Sequence, residues 1–248
     1  MINIKNLTTK TIREIALEAP ATTRVFEEFK IDYCCGGRKP FAEACLDAGI
    51  DPNILASQID AVIHSQAGND DSDHPEDKKP SALIDYILAK HHIFTASEIA
   101  RLTPLMAKVA TRHGEHHPDL FEIQSVFGSL TDSLIPHMRK EEAVLFPYIR
   151  QLESSHDANL SVPSPHFGTV QNPIRMMMAD HDADGERLQR MRKISGDYTL
   201  PDEACPSFTA LYAGLQDLER DLHRHIHLEN NVLFPSAARL EQLESRRT

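Results

Sequence analysis

Apolar residues recur with a period near 3.6 over four long stretches in the C-terminal two-thirds of the chain, the signature of amphipathic helices. The first, from about Ser81 to Arg112, sets Ile84, Leu88, Ile99, Leu102, Met106 and Val109 on one side. The second, about Asp119 to Leu152, aligns Phe127, Leu130, Leu134, His137, Glu141, Val144 and Tyr148. In the third, about Asn172 to Ile194, the stripe runs through Ile174, Met177, Met178, His181, Leu188 and Met191. The fourth, about Glu203 to Leu243, carries Phe208, Leu211, Leu215, Leu218, Leu222, His225, Glu229 and Val232. No stretch between them alternates as a strand would, so the pattern predicts an all-α protein built on an up-down-up-down four-helix bundle.

The N-terminal third is patterned differently. Short helical segments at Ala21 to Lys30 and Asp51 to His64, the latter opened by Asp51-Pro52, predict a compact helical domain over residues 1–65. Residues 66–80, QAGNDDSDHPEDKKP, are polar and Pro-bounded without apolar periodicity, and read as a linker. The bundle is then expected over residues 81–248.

Composition narrows the function. A hydrophobic fraction of 41% with 25% charged residues is that of a soluble globular protein, and no apolar run approaches the roughly 18 residues of a membrane span. The N-terminus lacks the apolar core of a signal peptide, which favours a cytoplasmic location. Thirty-seven acidic against 26 basic residues give a net charge of −11, which argues against a nucleic-acid or anionic-membrane partner. Fourteen histidines in an acidic chain point instead to metal.

Those histidines fall into a repeat. HMRKEEAVLFP at His137 to Pro147 and HIHLENNVLFP at His225 to Pro235 both read H-x-x-x-E-x-x-V-L-F-P. The i, i+4 spacing puts each His and Glu on one helix face, and that face is the apolar stripe. A carboxylate aimed into a core needs a cation, and no basic residue lies on the stripes nearby. Upstream, His92 precedes His137 by 45 residues and His181 precedes His225 by 44, so each helical hairpin supplies a further histidine. For the first hairpin a helical wheel favours His91 and the repeat offset favours His92. Four imidazoles and two carboxylates suit two transition-metal ions bridged by the Glu side chains, with iron, zinc or manganese matching that donor set. His223 and His227 lie off the stripe and are expected to be exposed, and Pro136 is expected to kink the second helix.

The doubled H-x-x-x-E-x-x-V-L-F-P, the ADHDADGE stretch around His181, the LENNVLFP ending and DYCCGG at Asp32 to Gly37 together resemble the hemerythrin-like iron-sulfur cluster repair di-iron proteins, the RIC family. The resemblance spans nearly the whole chain. It implies two non-haem iron ions in an oxo- or hydroxo-bridged centre, held by His92, His137, Glu141, His181, His225 and Glu229. It further implies repair of clusters damaged by nitric oxide or peroxide, with damaged iron-sulfur proteins as partners and small molecules such as nitric oxide or oxygen as reactants. Glu142 matches an E-E pair, but Asn230 stands at its place in the second repeat, so Glu142 is not required as a ligand. With four protein ligands each, both irons would keep open positions. A hemerythrin-like oxygen or nitric oxide binding protein is the alternative, and either a monomer or a homodimer fits.

DYCCGG is what an oxygen carrier would not need. Cys34 and Cys35 are too close along the chain for an unstrained disulfide, and no zinc-type C-x₂₋₄-C pair occurs. Two following glycines permit φ > 0 and a tight turn, which is expected to present both thiols at a surface, near Arg38 and Lys39, for thiol chemistry at the metal bundle. Cys45 and Cys205 are expected to be packing residues.

Overall fold

A computed structural model describes residues 7, 9–66, 74–162 and 165–245. Every regular element among them is helical, apart from one isolated bridge between Thr11 and Pro40. The N-terminal module holds α1 (Ile12–Glu18), α2 (Thr22–Glu28), α3 (Phe41–Asp47) and α4 (Pro52–Gln66). Thr11 starts α1 through a capping box, its hydroxyl accepting from Glu14 N while Glu14 returns a bond to Thr11 N. The module packs around its own core of Ile12, Val25, Phe26, Phe41, Leu55 and Ile59.

Residues 67–73 of the expected linker lie outside the described residues. From residue 74 the chain is seated on the bundle: Pro75 is buried, and Glu76 pairs with Arg224.

Each long bundle stretch except the third is interrupted by a π-helical turn. The first comprises α5 (Pro80–Ile87), a π turn at Leu88–His92 and α6 (Ile93–His113). The second comprises α7 (Asp119–Lys140), a π turn at Glu141–Leu145 and α8 (Phe146–Ala158). The third is the uninterrupted α9 (Gln171–Ile194). The fourth comprises α10 (Pro206–Leu228), a π turn at Glu229–Leu233 and α11 (Phe234–Ser245). Pro136 sits inside the continuous α7, so α geometry yields at Glu141 rather than at the proline.

Two apolar cores fill the bundle. One joins Leu102, Met106, Leu130, Leu188, Leu215 and Leu222; the other joins Ile84, Ile87, Phe146, Ile149, Met177 and Phe234. Between them lies a polar layer of buried His and Glu side chains. Water is thus excluded from above and below that layer, which strengthens every electrostatic interaction within it.

The module docks on the bundle beside this layer. Asn231 Nδ2 donates to Tyr33 O (3.2 Å), Lys30 pairs with Asp197 (2.6 Å), and His223 Nδ1 donates to Glu27 Oε1 (2.9 Å). Pro235 has no N–H to offer the turn before it, and Asn231 O, four residues earlier, accepts instead from Arg13 Nη2 at 3.0 Å.

Candidate metal centre

The six repeat-derived side chains converge. His92, His137, His181 and His225 are 2–5% exposed, and Glu141 and Glu229 are fully buried. They form two overlapping groups with candidate ligand atoms within 4.8 Å of one another: His92, Glu141, His225 and Glu229 in one, His137, Glu141, His181 and Glu229 in the other. Both carboxylates belong to both groups. Glu141 turns Oε1 toward His137 Nε2 (3.3 Å) and Oε2 toward His92 Nε2 (3.5 Å). Glu229 turns Oε1 toward His225 Nε2 (3.0 Å) and Oε2 toward His181 Nε2 (3.2 Å).

Hydrogen bonding alone leaves this layer incomplete. His92 Nε2, both Glu141 oxygens and Glu229 Oε2 are buried without a hydrogen-bond partner among the described residues. His137 Nε2 and His181 Nε2 face each other at 3.0 Å, a spacing at which two acceptor nitrogens repel unless a proton or cation lies between them. Orphaned donor atoms of imidazole and carboxylate, all aimed inward, are a donor set suited to transition-metal ions.

In the metal-free layer, protons balance the charge. Burial and Glu229 both push Glu141 toward its neutral form, but His137 and His92 outweigh them and hold it below the ordinary carboxylate range. Burial likewise opposes the charge on Glu229, yet His225 and His181 hold it well below that range. Burial opposes the charge on His137 as well, but Glu141 raises it to about 9, while His225 is driven down by burial. A metal ion bound here would therefore compete with protons for the same nitrogens.

Three of the four imidazoles are oriented through Nδ1. His92 donates to Glu142 Oε1 (2.8 Å), His137 to Asp180 Oδ2 (3.3 Å) and His181 to Asn230 Oδ1 (2.9 Å). The pair Glu142 and Asn230 thus has a shared task, and Asn230 was legible as the repeat counterpart of Glu142. Asp180 had only its place beside His181 to mark it. His91 is buried but outside both groups; its Nδ1 donates to Asp221 (2.9 Å) and its ring stacks on His225.

Other expectations need correction. His227 is fully buried rather than exposed, 2.9 Å from Asn231 Nδ2, and burial lowers its pKa to about 3. His223 is half-buried against Glu27. Nor does the DYCCGG turn present two surface thiols, because Cys34 is 5% exposed and only Cys35 is half-buried. Asp32, not a cation, is the close neighbour: it caps the turn through Cys34 N, Cys35 N and Gly36 N and accepts from Cys34 Sγ (3.3 Å). Hydrogen bonding with Cys35, burial and the Asp32 charge push the Cys34 thiol well above its usual range. The glycines do not adopt positive φ. Gly37 is required for close approach instead, since a Cβ there would lie 2.5 Å from Tyr33 O, the carbonyl that receives Asn231. The turn is held against the bundle, with Cys35 Sγ 3.6 Å from the backbone oxygen of His181. A cavity of about 120 Å³ between module and bundle reaches Cys34, bounded also by Asp32, Gly185 and His223.

A helical bundle with a layer of His and Glu between two apolar cores defines a cation-binding bundle protein. Residues 83–237 match the Hemerythrin HHE cation binding domain and residues 8–63 match ScdA_N, a domain of unknown function (DUF542), and this chain belongs to the hemerythrin HHE family in its ScdA_N-bearing form. Its relatives include the iron-sulfur cluster repair protein ScdA of Staphylococcus epidermidis, 31% identical over 224 residues, 90% of this chain and 95% of that protein. ScdA of Staphylococcus haemolyticus is 31% identical over 223 residues, with the same coverage of 90% and 95%. The iron-sulfur cluster repair protein YtfE of Yersinia pseudotuberculosis is 30% identical over 227 residues, 92% of this chain and 96% of that protein. Among the described residues no helix is long and apolar enough to cross a membrane.

Proposed function

We propose that this chain carries two iron ions in its His/Glu layer and restores iron-sulfur clusters damaged by nitrosative or oxidative stress in the cytoplasm. It would do so by donating iron to the damaged protein, by reacting with nitric oxide, or by both. The observation that carries this reading is the sharing of Glu141 and Glu229 between two four-residue groups, the arrangement that two adjacent cations, rather than one, would call for. His92 and His225 would hold one ion, His137 and His181 the other, with both carboxylates spanning the pair. When bound, the ions supply redox-active centres able to bind a diatomic ligand. The protein's own part is to orient imidazoles through Glu142, Asp180 and Asn230, and to keep water away with the two apolar cores. Iron that leaves as cargo departs by ligand exchange, its imidazole and carboxylate donors replaced by those of the recipient.

Cys34 and Cys35 belong to the same proposal as the thiols through which the module acts in repair. Cys35 contacts the backbone of a ligand residue, so thiol chemistry there reaches the site without crossing solvent.

Elemental analysis and an iron-transfer assay test the reading together. The wild type is expected to carry two irons per chain and to restore activity to an iron-sulfur enzyme whose cluster nitric oxide has broken. Glu141→Ala and Glu229→Ala should each lose iron. Cys34→Ala/Cys35→Ala should keep both irons and lose repair. Unchanged iron in both Glu variants would sink the site, and full repair by the double Cys variant would leave the thiols a packing role only.

A further inference from the structure

The two halves of the layer are not equally supported. At the half containing His137 and His181, both Nδ1 atoms have acceptors, Asp180 and Asn230. At the half containing His92 and His225, His92 has one, Glu142, whereas His225 Nδ1 is buried without a partner among the described residues. Glu142 and Asn230 each follow a shared carboxylate in the repeat, and each receives the imidazole from the other helix of its own hairpin. One is a carboxylate and the other an amide.

Access divides the halves in the same way. Asn230 is buried at 6% exposure, and the ring of His181 stacks on Phe234 at 6.1 Å. The Glu142 side chain is 48% exposed and, with His92, lines a cleft of about 680 Å³ walled by Leu88, Ile93, Ile135 and Met138. Asp85 and Arg139 stand at the same cleft, and Asp85 is paired with Arg150 at 2.7 Å. Among the described residues Glu142 has no Lys or Arg salt bridge and is bonded instead to the imidazole it orients.

An acceptor at Nδ1 fixes the ring and makes Nε2 the stronger donor, and losing one typically weakens metal binding by about 10- to 100-fold. A position with one such acceptor, itself half in water, holds its ion less firmly than a position with two. We infer that the His92/His225 position is the labile one, that its ion leaves first through the cleft past Glu142, and that Glu142 is the positioning residue that sets the rate. This rests on the two-iron, iron-donating reading above. The step is ligand exchange without electron transfer: a ferrous ion leaves as a cation, incoming donors replace the imidazoles and carboxylates, and the freed nitrogens take protons from water.

The test is the time course of iron loss from the full-length ferrous protein to an excess of a ferrous chelator. Two phases of equal amplitude are expected, one ion each. Glu142→Ala, which removes the acceptor at His92 Nδ1, should speed the fast phase about ten-fold or more and leave the slow phase alone. Asn230→Ala should speed only the slow phase. Mössbauer spectra of half-depleted protein should lack one of two iron signals, the one that Glu142→Ala perturbs in the loaded protein. Circular dichroism of each variant checks that helix is retained, and half-exposed Glu142 is replaced without leaving a cavity. A single phase, or a Glu142→Ala variant that moves both phases equally or neither, overturns the inference. Iron transfer is measured separately: transfer with single-phase release refutes the inference and spares the function, whereas two-phase release without transfer does the reverse.

Discussion

Removing the metal should uncover a pH dependence that the loaded protein lacks. In the metal-free layer, His137 is 2% exposed and 3.3 Å from Glu141 Oε1; burial disfavours its charge, yet Glu141 raises its pKa from 6.5 to about 9. A group whose pKa is higher folded than unfolded stabilises the fold fully below the unfolded value and loses that contribution as pH climbs through the folded one. The window is therefore pH 6.5 to about 9. A displacement of that size corresponds to about 3 kcal/mol. In a chain of this length each kcal/mol moves Tm by about 2–4 °C, so the metal-free protein should melt roughly 6–12 °C lower at the top of the window.

Below the window the sign reverses. His227, lowered to about 3, and His225, also lowered, bind fewer protons folded than unfolded, so they destabilise the fold as pH falls below 6.5. The metal-free protein should accordingly be most stable near pH 6.5. With metal in place the imidazoles are already deprotonated, and the loss between pH 6.5 and 9 should vanish. Thermal melts followed by helical circular dichroism, on chelated and loaded protein at both pH values, measure this directly. Glu141→Gln removes the charge that raises His137 and should flatten the metal-free slope. An equal melting temperature at the two pH values in chelated wild type would refute the reasoning, as would an unchanged slope in Glu141→Gln.

Two further outcomes follow from the fold. Timed alkylation of the native protein should modify Cys35 and Cys205 before Cys34 and Cys45, because the latter two are buried; mass spectrometry of early time points reads the order, and early loss of Cys34 would contradict the docked turn. A chain beginning at Ser81 should fold as helix and retain iron, since both bundle cores draw only on residues from Leu83 onward and the module core only on residues up to Val62 and Ile63. Loss of metal by that shortened chain, with the full chain retaining it, would place part of the site's support in the module.

The four helices were legible because their apolar stripes persist over 20 or so residues, long enough for periodicity to outweigh local exceptions. The His/Glu layer was legible for a different reason: a repeat of spacing identifies side chains that share a face without any knowledge of their partners. Docking of the module had no such signal. It depends on backbone carbonyls of Tyr33 and Asn231 and on single side chains reaching them, which leave no periodic trace. That is also why His227 was misjudged. A stripe marks the face a helix turns to its own bundle, and α10 is covered on a second face by the module, where Tyr33 packs on the His227 ring at 5.3 Å.

A subtler error runs through three of the helices. Each π turn inserts one residue, so every position after it is rotated by about one residue's turn relative to a continuous α-helix. The stripe through His137 and Glu141 therefore predicts Val144 inside, whereas Val144 is 37% exposed and Leu145, one residue on, is 1% exposed. After Glu229 the same advance buries Leu233 completely. In the first helix the π turn at Leu88–His92 ends on the residues in dispute, and the advance brings His92 to the site where an unbroken wheel favours His91. The repeat offset picks the histidine that lies among the other five side chains because it compares two copies at corresponding places, whereas the wheel assumes a constant pitch. Pro147 and Pro235, each six residues past a shared glutamate, lack the N–H that a regular α turn requires, and they stand where the pitch changes. The first helix has a π turn with Phe94 at the place of those prolines, so proline permits the distortion rather than causing it. What all three turns share is a member of the buried His/Glu layer at one end, His92, Glu141 or Glu229, which places the departure from local helical preference at that layer.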